Sequence, residues 1–159
     1  MKKIIGLVAV GVSAFFIMSS TCSSKGAEAD TTESVETKVA AFKGAGINFK
    51  TMSLEEAMVL SNETGKLIFI DAYTSWCGPC KQMAATTFKD KGVGDFFNEN
   101  FINLKIEMEK SSDGPGVAKK YRVRAYPTLL IIDGSGTLVK QTVGMQNVSR
   151  LMSFAESAL

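Results

Sequence analysis

Two cysteines separated by two residues, Cys77 and Cys80 in the run Trp76-Cys77-Gly78-Pro79-Cys80, are the part of this sequence whose types and spacing can do chemistry. The thiolate is the reactive form of cysteine in disulfide exchange. A two-residue gap lets the second cysteine fold back within one helical turn, close enough to form a disulfide with the first. The run follows an apolar stretch, Leu67-Ile68-Phe69-Ile70, which places it between a buried strand and the opening of a helix. At a helix N-terminus the free N–H groups and the macrodipole favour a thiolate at Cys77. Pro79 has no N–H to donate, and the first helical turn tolerates that loss. The competing reading is a structural disulfide. Closing so short a loop removes little chain entropy, so such a bridge would stabilise poorly.

Composition narrows the alternatives. The chain of 159 residues has three cysteines, Cys22, Cys77 and Cys80, and no histidine. Three cysteines cannot build a disulfide framework, and they cannot make a four-cysteine zinc site within one chain. Without imidazole there is no mixed cysteine–histidine metal site and no histidine-based acid–base chemistry. No metal and no cofactor is expected. Lysine and arginine number 18 against 16 acidic residues, and Lys2 and Lys3 lie in a targeting segment; without those two the count is 16 against 16. Nothing in that balance points to nucleic acid as a partner.

The elements that must position the pair are readable. Ile47 and Phe49 suggest a short strand near the start of the domain. Ser53-Leu54-Glu55-Glu56 is a capping box that opens a helix, and Gly65 is a left-handed cap for its end. Lys66 to Tyr73 reads as a buried strand. The helix that starts at Cys77 breaks in Thr86 to Gly92, and a second helix carries Phe96, Phe97 and Phe101. Phe101 to Met108 alternates, with Ile102, Leu104, Ile106 and Met108 on one side and Asn103, Lys105 and Glu107 on the other. A helical turn over Val117 to Tyr121 follows Gly114-Pro115-Gly116. Thr128 to Ile132 and Leu138 to Val143 form a hairpin about Asp133-Gly134-Ser135-Gly136, and Val148 to Leu159 closes the chain as an amphipathic helix. The fold class is α/β: a central mixed sheet flanked by helices on both faces.

Trp76 to Cys80, continued by Lys81, resembles the active-site motif of the thioredoxin family. The similarity runs with interruptions from about Gly46 to Leu159 and is strongest from Lys66 to Ile132. It implies a thioredoxin-like fold and thiol–disulfide oxidoreductase activity, with Cys77 attacking and Cys80 resolving. It also implies that Asp71 is the buried aspartate assisting proton transfer at Cys80, and that Lys105 accompanies it. By the same resemblance Tyr126-Pro127-Thr128 is the loop whose proline is cis and faces the disulfide, and Gly144 flanks the substrate groove. Trp76, Gly78, Pro79, Tyr126, Pro127 and Gly144 are thus the expected substrate-binding residues. Read from the residues alone, Asp71 closes an apolar run, where desolvation raises a carboxyl pKa, or else it starts a turn. Lys105 reads as a residue of a solvated face. Trp76 reads as a surface lid over the thiols. The sequence departs from the family at Tyr73, where many members have tryptophan, and at Ala85, where a proline kinks the active-site helix. In this it is similar to the soluble thioredoxin-like domains of envelope electron-transfer proteins.

The N-terminal part reads as an export signal spanning residues 1–22. Lys2 and Lys3 precede an uncharged run of 15 residues, Ile4 to Met18. As a helix that run reaches roughly 22 Å, short of the roughly 30 Å hydrocarbon core, so a short membrane anchor is the weaker reading. Ser19-Ser20-Thr21-Cys22 resembles the lipid-attachment site of bacterial lipoproteins, though Ser19 stands where an aliphatic residue is usual. Ala27-Glu28-Ala29 offers a competing cleavage site. Both place the folded part in the cell envelope (periplasm), anchored by lipid at Cys22 or free. Residues 23–45 form a polar linker, and residues 46–159 the domain. The expected partners are client proteins with disulfides and a membrane electron donor, and a monomer is expected. The rival functions are a disulfide-forming oxidant, and a non-catalytic binding module using Trp76, Tyr126 and Met145.

Overall fold

The computed structural model describes residues 46–159; the expected export signal, Cys22 and the expected linker to residue 45 lie outside the described residues. Helix α1 (Leu54–Thr64) opens on the capping box: Ser53 accepts from the Glu56 N–H, and the Glu56 carboxylate accepts from the Ser53 N–H. Gly65 closes it at φ 72° with its N–H on the Ser61 carbonyl. The chain then enters strand β1 (Leu67–Tyr73), five of whose seven residues are buried. Helix α2 (Gly78–Ala85), a 3-10 turn (Thr87–Lys89) and helix α3 (Lys91–Asn100) lead to strand β2 (Phe101–Glu107). Helix α4 (Gly114–Tyr121), the hairpin strands β3 (Thr128–Ile132) and β4 (Leu138–Val143), and helix α5 (Val148–Glu156) complete the domain.

The sheet order is β2-β1-β3-β4. β1 pairs parallel with β2 and antiparallel with β3, and β3 pairs antiparallel with β4. The side chains of β1 alternate between two cores. Ile68, Ile70 and Ala72 pack with Ala57 of α1 and Val117 and Tyr121 of α4. Phe69 packs with Met83 of α2, Phe88, Val93 and Phe97 of α3, and Leu151 and Phe154 of α5. Helices therefore cover both faces of a mixed sheet. The asparagine on the polar side of β2 does not reach water: Asn103 is buried, and its side-chain amide donates to the Phe97 carbonyl at 3.2 Å. Close approach of backbone requires glycine at position 94. A Cβ on Gly94 would lie 2.3 Å from the Gly46 carbonyl oxygen, so the backbone of α3 can approach Gly46 this closely only at a glycine.

Three expectations about boundaries are corrected. Ile47 and Phe49 do not form a strand with β2; the backbone of this segment pairs with the sheet at one bridge, Lys50 to Leu104. The reason is where its N–H groups go: Ile47 donates to the Phe88 carbonyl and Asn48 to the Asn98 side chain. Phe101 belongs to β2, not to the helix carrying Phe96 and Phe97. α4 begins at Gly114 rather than Val117, because Pro115 is tolerated in the first turn of a helix.

Candidate active site

β1 runs into the loop Thr74-Ser75-Trp76, and Cys77 is the N-cap of α2 with extended backbone (φ −69°, ψ 110°). Its sulfur accepts from the Cys80 N–H at 3.2 Å, one of the donors that a helix start leaves unused. Cys77 and Cys80 are joined by a disulfide, with Cα atoms 5.3 Å apart. Gly78 and Pro79 are exposed between them, while both cysteines are buried. Beside them Trp76 is 63% exposed, the position of a lid rather than of a core residue. Its ring meets Tyr126 edge to face at 5.9 Å, and its indole N–H donates to Glu109 at 2.9 Å. The Tyr126–Pro127 bond is cis. Ala72 of β1 pairs with Thr128, so this loop stands at the same end of the sheet as the cysteines. Gly144 adopts φ +90° and donates its N–H to the Pro127 carbonyl at 2.8 Å, which ties the end of β4 to the loop.

Asp71 is fully buried in β1, opposite Lys105 in the parallel register of β2. The Lys105 ammonium donates to Asp71 Oδ2 at 2.9 Å and lies 4.4 Å from the centre of the Tyr73 ring. Lys105 is therefore not part of a solvated face. Burial pushes the Asp71 pKa above its ordinary 3.8; the charge and hydrogen bond of Lys105 pull it down and do not offset the loss of water. Asp71 Oδ1 has no protein partner among the described residues. A cavity of about 190 Å³ opens beside the buried cysteine. Thr74, Cys80, Ala84 and Lys105 wall it, with the exposed Ser75 and Lys81 at its mouth.

The sequence reading missed a clip that fixes the loop before Cys77. The Glu107 carboxylate accepts from the backbone N–H groups of Ser75, Glu109 and Lys110, and the Lys110 ammonium donates to the Ser75 hydroxyl at 2.9 Å. Desolvation pushes the Glu107 pKa up, but these three donors and the Lys110 charge outweigh it and hold the carboxyl below the usual range. Glu109, which holds the Trp76 indole, was missed as well. The signal present in the sequence was a run of charges, Glu107-Met108-Glu109-Lys110, directly after a strand. Thr74 was also passed over. It is a buried β-branched residue whose hydroxyl has no protein partner among the described residues.

A mixed sheet covered on both faces, with a two-cysteine bridge at a helix start and a buried carboxylate on the strand before it, defines a thiol–disulfide oxidoreductase. Comparison with known proteins gives the family: the sequence profile of the thioredoxin-like domain matches residues 54–158, and the chain belongs to that family. It is 30% identical to a thioredoxin of Chlorobaculum thiosulfatiphilum over 103 residues, 65% of this chain and 82% of that one. It is 34% identical over 67 residues to thioredoxin-1 of Drosophila melanogaster, 42% of this chain, and spans 57% of that relative's length. Among solved structures it is similar to one described as a candidate disulphide-isomerase from Bacteroides thetaiotaomicron. That match has 43% identity and a TM-score of 0.65, and covers 72% of this chain and 94% of that one.

Proposed function

We propose that this protein reduces the disulfides of client proteins in the cell envelope, using Cys77 as the attacking and Cys80 as the resolving cysteine. The observation that carries the reading is the placement of the bridge: Cys77 heads α2 beside the exposed ring of Trp76, and Cys80 follows in the first turn of that helix. Trp76, Gly78, Pro79, Tyr126, Pro127 and Gly144 surround the bridge at one end of the sheet and form the surface on which a client chain would lie.

In the proposed cycle the Cys77 thiolate attacks a client disulfide, forms a mixed disulfide and releases one client thiolate. Cys80 loses its proton, with Asp71 and Lys105 setting the local charge, and attacks Cys77. The Cys77–Cys80 bond forms, the bond to the client breaks, and the client leaves with both sulfurs reduced. The helix N-terminus and the N–H of Cys80 favour the anionic sulfur at Cys77 throughout. Gly78-Pro79 supports the reducing direction by its resemblance to thioredoxins.

The oxidised pair must then receive two electrons. The export signal, with lipid attachment at Cys22 or cleavage after Ala29, supports a membrane electron donor rather than a soluble reductase. The chain is also 30% identical to part of a relative named thiol:disulfide interchange protein DsbD from Colwellia psychrerythraea, covering 18% of it. The test is a client-reduction assay with the wild type and a Cys77→Ser, Cys80→Ser variant under a supplied dithiol. The expected result is turnover by the wild type and none above background by the variant. Equal activity of the two would replace the reductase with a binding module around Trp76, Tyr126 and Met145.

A further inference from the structure

Among the polar residues that line the cavity beside Cys80, Thr74 is the one that is fully buried, and the proposed cycle leaves it without a task. Thr74 is fully buried, and its hydroxyl has no hydrogen-bond partner among the described residues. A buried hydroxyl without a partner costs free energy, and a valine of the same shape would fill the site without that cost. Besides Tyr73 and Lys81, two other polar residues line the cavity, and both are already paired. Lys105 donates to Asp71, and the Ser75 hydroxyl accepts from Lys110. The backbone of Thr74 is fixed relative to the bridge, because its carbonyl accepts from the Cys77 N–H at 3.2 Å. The cavity, at about 190 Å³, has room for water, whose share of liquid volume is roughly 30 Å³ per molecule.

We propose that Thr74 is a positioning residue for Cys80: once the pair is reduced, its hydroxyl donates a hydrogen bond to the Cys80 thiolate. The inference rests on the exchange chemistry proposed above and adds a group to it. When the mixed disulfide resolves, the Cys80 thiol gives its proton to the cavity water or to Asp71. The resulting thiolate needs donors in a place where protein supplies few. A hydroxyl rotates to donate, and Thr74 stands on the same wall. The Cys80 sulfur then attacks Cys77, the new S–S bond replaces the bond to the client, and the Thr74 hydroxyl is released with the charge. The other titratable groups around Cys80 are Cys77 and Lys81 on its own side, Asp71 and Tyr73 from β1 and Lys105 from β2. All of them stay in place in the variants below.

The experiment titrates the reduced pair by thiolate absorbance in the full chain carrying Cys22→Ser, so that no third thiol contributes, with Thr74, Thr74→Val and Thr74→Ser compared in that background. The dithiol titrates in two coupled steps, of which the higher reports the second thiolate. The expected result is an upward shift of that step by about one pH unit in Thr74→Val, the size of one hydrogen bond to a charged group. Thr74→Ser, which keeps the hydroxyl, should titrate like the wild type. Wild-type titration of Thr74→Val, or equal shifts in both variants, would overturn the inference. Both readings come from the reduced pair without any client, so a failure of client reduction by the wild type would count against the proposed function and leave this titration to decide on Thr74.

Discussion

Replacing Asp71 with asparagine removes the one fully buried carboxylate of the site and should reveal its cost as a dependence of stability on pH. Asp71 is held above its ordinary value of 3.8 because burial outweighs Lys105. For a carboxyl whose folded pKa is raised, the native state binds more protons than the unfolded one between the two values. Stability from this group is therefore complete below the unfolded pKa and is lost as pH rises through the folded one. The slope is at most about 1.4 kcal/mol per pH unit, since one proton is involved. Glu56, Glu107 and Asp133 are held low by hydrogen bonds and slope the other way, so the wild-type curve alone mixes both signs. Subtracting the curve of Asp71→Asn isolates Asp71. The assay is urea unfolding of the two oxidised proteins across a pH series beginning near 3.8, so that neither sulfur of the pair titrates. The wild type should lose ground to the variant as pH rises above that value, and the difference should level off beyond the raised pKa. A flat difference would mean that Lys105 fully offsets burial, and one in which the wild type gains with pH that it more than offsets it; either would make Asp71 an ordinary ion-pair carboxylate.

Other outcomes follow from the same geometry. Cys80→Ser should trap a client on Cys77 as a mixed disulfide visible by mass spectrometry under non-reducing conditions, whereas Cys77→Ser should trap none there. Trp76 is the only tryptophan of the chain, so fluorescence reports the clip at one place. Glu107→Gln sets an amide N–H₂ against backbone donors and should shift Trp76 emission to the red, with an unchanged spectrum arguing that Glu107 does not hold the loop. Gly94→Ala should destabilise the domain by about 1–3 kcal/mol in chemical unfolding, the usual cost of overpacking, because its Cβ would meet the Gly46 carbonyl.

The two-cysteine run, the buried β1 before it and the helix it opens were legible because each has a local cause: an apolar run, a capping position, a proline in the first turn. The capping box at Ser53 and the hairpin at Asp133 were legible for the same reason. Lys105 was not legible from its strand alone. Alternation along β2 separates apolar from polar residues, yet it cannot say that Phe49, Phe88 and Phe97 cover the second side and leave Lys105 facing Asp71. Only the resemblance placed the two together. The segment at Ile47 reads as a strand by its pattern, and what decides against it is the long-range destination of two N–H groups. Glu107, Glu109 and Thr74 were hidden because their importance lies in contacts with backbone, indole and cavity, which no spacing rule encodes.

The reduction potential of the Cys77–Cys80 couple tests the central claim most directly. The known range runs from roughly −270 mV for thioredoxin to roughly −120 mV for a strong envelope oxidant. A client-reducing protein with Gly78-Pro79 between its cysteines should equilibrate close to the thioredoxin end. A value near the oxidant end would contradict the account, and the protein would then make client disulfides rather than break them.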